Sequence, residues 1–249
     1  MGFKAAFPVI LSFLLISSTQ AKVGDTQTLK FESNSFGLEK AADPYFKISE
    51  VRITEVETPS EFYLNNTILE TVGPIDKAVK VIGVIDKIVA LGQKIWNIVE
   101  KGKPVVKMDV NRKIDVVPLS KENKPLQVFE LENWTYPETK SFKVEYKNGF
   151  GSKVIQFTYT VYYQHSGQYD GKGSYLANVN VTASNVSVKW GFDFNANSEF
   201  GSLTNIGSLN EPVAGVTFNI NYVASSVFSN VRASNSFFVT GKGDLKALK

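Results

Sequence analysis

The chain has no cysteine, one histidine (His165) and only two methionines in 249 residues. Without cysteine there can be no disulfide, no thiolate nucleophile and no zinc site built from Cys and His clusters. A Ser–His–Asp design would have to use His165, and no Gly-x-Ser-x-Gly elbow accompanies it. No Asp-x-Asp-x-Asp-Gly loop is present for calcium. Gly171-Lys172-Gly173 lacks the strand–loop–helix setting of a phosphate cradle and reads as a hairpin turn. Acids are sparse beyond residue 145: Asp170, Asp193, Glu199, Glu211 and Asp244. None pairs with another on one strand face, as a two-carboxylate glycosidase would need. These absences point to a non-enzymatic chain without metal or cofactor, and a hydrolase ranks third among the functions considered.

Net charge is small, +3 from 27 bases and 24 acids, but it is unevenly spread. From Asp25 to Glu70 there are nine acids against four bases, and from Ile75 to Lys107 seven lysines against three acids. A nucleic-acid binder needs a concentrated basic face without a neighbouring acidic block, so nucleic acid is excluded as a partner.

What the sequence does have begins at the N-terminus. Lys4 precedes an apolar run from Ala5 to Ile16, interrupted by Pro8 and Ser12, and small residues follow at Thr19 and Ala21. This is the pattern of a secretory leader over 1–21, cleaved near Ala21. The run is about a dozen residues, short of the roughly 20 that cross a bilayer as a helix. Secretion or a periplasmic location is expected. Lack of cysteine fits a bacterial exported protein better than a disulfide-bearing eukaryotic one. Asn-x-Ser/Thr sites at Asn65, Asn133, Asn180 and Asn185 would matter only in a glycosylating host.

The remainder divides into a segment over 22–104 and a β region over 105–249, expected to form one globular unit. Short strands are expected around 29–31 and 48–56, and a short helix over 60–72. Over 74–101 the spacing predicts a long amphipathic helix. Val81, Ile85, Ile88, Val89, Ile95, Trp96 and Val99 share one face, and Lys80, Lys87, Lys94 and Lys101 recur every seven residues opposite it. Gly102-Lys103-Pro104 reads as its stop. Gly83 and Gly92 inside it would each cost about 1 kcal/mol relative to alanine.

Beyond 105 the side chains alternate with period two. Examples are Phe142 to Tyr146, Ile155 to Val161, Val186 to Phe194 and Val216 to Tyr222. Strands are also expected over 105–110 and 114–117. Asn148-Gly149, Asp170-Gly171, Gly207 and Gly241 mark turns. Such strands, each with one wet and one buried face, predict an antiparallel β-sandwich of Greek-key type with the helix packed on it.

Two surfaces stand out as candidate sites. Tyr163, His165, Tyr169, Asp170, Lys172 and Tyr175, with Tyr162, gather around one expected turn, where rings with polar tips suit an amphipathic ligand such as a glycan. The basic helix, through Lys80, Lys87, Lys94, Lys101 and Trp96, would suit an anionic membrane surface. A helix ahead of a β-sandwich resembles the layout of actinoporin-type pore formers, without a shared motif. The leading expectation is an exported protein that acts by binding a glycan, a protein or an envelope component. The alternative is a membrane-active protein using that helix, or regrouping strands such as 185–196 and 215–224 into a barrel.

Overall fold

A computed structural model describes residues 26–30, 43–60, 80–104 and 112–248. The leader expected over 1–21, all but the first residue of the helix expected over 60–72, and the strand expected over 105–110 lie outside these residues.

The described chain is mainly β. Its strands are β1 (Thr26–Lys30), β2 (Ile48–Val56), β3 (Lys80–Ile85), β4 (Ile88–Gly92), β5 (Ile95–Glu100), β6 (Lys103–Pro104) and β7 (Ile114–Pro118). Seven more follow: β8 (Glu138–Asn148), β9 (Lys153–Tyr169), β10 (Lys172–Val188), β11 (Phe192–Asn205), β12 (Ala214–Ser226), β13 (Asn230–Thr240) and β14 (Leu245–Leu248). They make two antiparallel sheets. One has the order β1-β2-β8-β9-β10-β7-β4-β3, the other β14-β13-β12-β11-β5-β6.

Period-two alternation drives this arrangement, because it gives each long strand one apolar face to bury. The two apolar faces meet in a layer of rings. Phe157 of β9 lies 4.7 Å from Phe194 of β11 and 5.5 Å from Tyr222 of β12, centroid to centroid. Phe142 of β8 lies 5.1 Å from Phe237 of β13. Rings at these spacings add roughly 0.5–1.5 kcal/mol per pair beyond the area they bury. They tie the sheets together across the middle of the molecule.

The long helix expected over 74–101 is corrected. Among the described residues no helix reaches seven residues, and 80–100 forms β3, β4 and β5. Two physical reasons account for this. The segment is dense in Val and Ile, whose branched side chains favour strands. In addition, all five residues of β4 are buried, so it shows no alternation, and a continuous apolar run is ambiguous between helix and strand. Asp86 (φ 44°) and Lys87 (φ 63°) form the β3–β4 turn, with the paired positive φ values of a tight hairpin.

The seven-residue lysine spacing is therefore the length of a strand plus its turn. Lys80 opens β3, Lys87 sits in the turn, Lys94 precedes β5 and Lys101 follows it. They form no stripe. Lys87 is beside Ile88, which pairs with Pro118, while Lys101 donates its amide to the Asn195 side chain near the other end of the sheets. Trp96 is buried in the core and touches no surface a membrane could reach. With the helix goes the basis of the layout resemblance to actinoporin-type pore formers.

Alternation over 186–194 hides a second correction. It does not run through one strand. Lys189-Trp190-Gly191 carries the chain from β10 in one sheet to β11 in the other.

Candidate functional site

The turn singled out by its tyrosines is real, but Tyr163, His165 and Tyr175 face inward. Asp170 (φ 51°) and Gly171 (φ 69°) make the tight β9–β10 turn. Alternation along β9 puts Tyr163 and His165 on the core side with Tyr159 and Val161, and Tyr175 of β10 is buried as well. Glu138 gathers two of these groups. Its Oε2 accepts the Tyr163 hydroxyl at 2.8 Å, and its Oε1 is 3.1 Å from His165 Nε2. The Tyr163 hydroxyl also lies 3.0 Å from the Gly243 carbonyl. Burial first, then the Glu138 and Asp244 carboxylates, push the Tyr163 phenol well above its usual range. Burial, with Glu211 nearby, pushes Tyr175 up to about 12. Of the set, Asp170 and Lys172 are exposed and Tyr162 and Tyr169 half-buried. The rest hold the end of the fold together.

At the opposite end lies a surface that the turn signals did not reveal. Four segments from both sheets converge there: the 3-10 turn Pro44–Phe46, the β8–β9 turn, the β10–β11 crossing and the β12–β13 turn. Three of their tips carry exposed apolar side chains. Trp190 is 81% exposed, Val227 73%, Phe150 66% and Phe228 55%. Phe46 stands between them, with its ring 5.8 Å from Trp190, 6.2 Å from Phe228 and 6.2 Å from Phe192, which belongs to the core. Tyr45 packs edge-on to Phe46 at 5.0 Å.

The tips are also stitched to one another. The Gly149 amide donates to the Pro44 carbonyl at 2.9 Å. The Ile48 amide donates to Ser229 Oγ at 3.0 Å, and Ser226 Oγ donates to the Phe46 carbonyl. Tyr45 donates its hydroxyl to the Trp190 carbonyl at 3.4 Å. The patch is thus a preformed aromatic end of edge-on and tilted rings, not a set of independent loops. Its sequence signal is the presence of large apolar residues where turns call for polar ones: Gly149-Phe150-Gly151, Trp190-Gly191 and Val227-Phe228-Ser229.

The sheet faces carry polar clusters as well. The outer face of the β5-β11-β12-β13 sheet is an amide ladder in which Asn221 bonds Asn197 at 3.1 Å and Ser236 bonds Asn219 at 2.6 Å. A shallow open groove of about 370 Å³ lies on it beside Asn221, Val223, Arg232 and Ser234. On the other sheet, Glu145 lies between Lys153 (2.6 Å) and Lys143 (3.0 Å). Burial alone would raise its carboxyl, but the two ammonium groups outweigh that and hold it below the usual range. Among the described residues no cluster of three or more His, Asp or Glu is placed to hold a metal ion. Comparison of the chain with protein-family models, with curated proteins and with solved structures gives no match.

Proposed function

We propose that this is an exported, non-enzymatic protein that works by binding, and that its binding surface is the aromatic end of the fold. In this reading the two sheets are a β-sandwich scaffold, and the loops at one end do the work, as loops on rigid scaffolds commonly do. The observation that carries it is the exposure of Phe150, Trp190, Val227 and Phe228 on three neighbouring tips. Contiguous apolar surface of this kind marks interaction sites. Leaving a Trp or Phe in water forgoes roughly 1.5–3 kcal/mol each that burial would recover. Export rests on the pattern of residues 1–21, and the absence of an enzymatic role on the residue chemistry described above.

The test is ligand-independent. Purified protein is mixed with total cell-envelope material and sedimented, alongside the Trp190→Ser/Phe228→Ser variant. Retention of the parent protein with clear loss for the variant supports the reading. Equal retention of both removes the aromatic end as the binding surface.

Regrouping of hairpins into a transmembrane barrel is the weaker reading. The apolar faces it would turn to lipid are those of Phe194, Phe218, Ile220 and Tyr222, all fully buried against the opposite sheet. Exposing them would dismantle the core.

A further inference from the structure

Resting on that reading, we infer that the partner of the aromatic end is the interfacial layer of a lipid bilayer, entered by the tips without change of fold. Trp and Phe beside small polar residues suit the headgroup–acyl boundary, where one side chain meets both apolar and polar surroundings. The tips come from separate segments of both sheets, yet all emerge at one end, so they reach one plane together.

Charge separates this end from its opposite. The tips 149–151, 189–191 and 227–229 contain Lys189 and no carboxylate. Lys101, Lys103 and Lys153 stand behind them, with Asp43, Glu100 and Asp193 as the nearby acids and Lys153 paired to Glu145. Phe129, Tyr136 and Leu209 are just as exposed but lie at the other end. They are interleaved there with Glu130, Glu132, Glu138, Asp170 and Glu211, which outnumber the bases Lys172 and Lys242. Anionic headgroups would repel that end and tolerate the aromatic one.

Backbone satisfaction points the same way. A segment entering the bilayer boundary loses water, so its amides must already have partners. At the β8–β9 tip they do. Gly149 donates to Pro44, Phe150 and Ser152 donate to the Asn148 side chain, and Gly151 donates to the Asn148 carbonyl. At the other two tips Lys189, Phe192 and Phe228 donate within the fold, and the amides of Trp190, Gly191 and Val227 are left to the polar side of the boundary. Because the tips are already ordered by Phe46 and its neighbours, little entropy is lost on entry.

The test uses purified protein and vesicles of phosphatidylcholine, alone or with phosphatidylglycerol. Flotation should recover the protein with both compositions, modestly more with the anionic lipid, because the tips carry a single lysine. Brominated lipid should quench Trp190, and Trp96, buried in the core, should stay unquenched. Phe150→Ser/Val227→Ser, both at exposed positions, should lower partitioning at least about tenfold. Leu209→Ser, equally apolar but at the opposite end, should leave it unchanged. Failure of the parent protein to bind any vesicle would overturn the inference. If binding to envelope material still depended on Trp190, the partner would be something other than lipid, and the binding surface itself would stand. Equal loss of partitioning with Leu209→Ser would show general stickiness and overturn it too.

Discussion

Gly191 and Phe46 meet so closely that a Cβ on residue 191 would lie 2.4 Å from the Phe46 ring. Gly191 also holds φ at +81°, a region where a side chain is strained. This contact lets the crossing from one sheet to the other pass close beneath the Phe46 ring. Gly191→Ala is expected to cost about 1–3 kcal/mol and to displace Phe46. Gly151, at φ +76° with nothing within 4 Å of its would-be Cβ, provides the comparison. Gly151→Ala should cost about 1 kcal/mol from backbone strain alone. Denaturant unfolding measures both, and near-ultraviolet circular dichroism should change for Gly191→Ala only. Equal effects would mean that Phe46 does not pack on the crossing.

The region over 80–100 shows what periodicity conceals, and it yields a prediction whose sign differs between the two secondary structures. In a helix, Gly92→Ala would stabilise by about 1 kcal/mol. In the hairpin, Gly92 has φ +153°, and an added Cβ would sit 2.4 Å from the Lys113 carbonyl. The substitution should therefore destabilise by more than 1 kcal/mol, as forced backbone shifts do. Stabilisation would restore the helix.

The same comparison explains the rest of what could be read. Half-wet strands such as Val216 to Tyr222 announce themselves, because the alternation is itself the burial pattern. β4 does not, because both its faces are buried. The change of sheet at Trp190 preserved the apparent alternation while turning an expected core residue into the most exposed of the four on the tips. Parity along β9 separates buried Tyr163 and His165 from half-buried Tyr162, whereas Tyr175 belongs to β10. Glu138, distant in sequence, supplies the partner for His165 and Tyr163 and could only be found by pairing β8 with β9. The aromatic end is assembled by tertiary convergence of residues near 46, 150, 190 and 228, which no local window spans.

Acid should weaken the β2–β8–β9 face. Glu145 in the folded protein titrates below the 4.5 of an ordinary glutamate because Lys153 and Lys143 overcome the cost of its burial. Glu50 is lowered by its hydrogen bond to Lys147 and by Arg52. A carboxyl depressed on folding contributes stability that is complete above its unfolded pKa and is lost as pH falls through its folded one. Glu145→Gln should therefore destabilise by about 1 kcal/mol at neutral pH. The gap from the parent protein should shrink as pH drops below 4.5. A gap that stayed constant to low pH would show that the lysine pairs do not stabilise the fold.

Tyr163→Phe tests whether the far end is structural or a second binding surface. The hydroxyl is buried between Glu138 and Gly243, and it serves as donor to a carboxylate that also reaches His165. Removing it leaves the ring in place and takes away one hydrogen bond to a charged group, worth about 1.5–3 kcal/mol in stability. Because Tyr163 lies at the opposite end from Trp190, partition onto vesicles and retention by envelope material should be unchanged once the variant is assayed well below its midpoint of unfolding. The stability loss is read from denaturant titration, and the binding from flotation at the same temperature. If binding fell while the fold held, the tyrosine-lined end would be part of the recognition surface, and the aromatic loops at the other end could not account for binding by themselves.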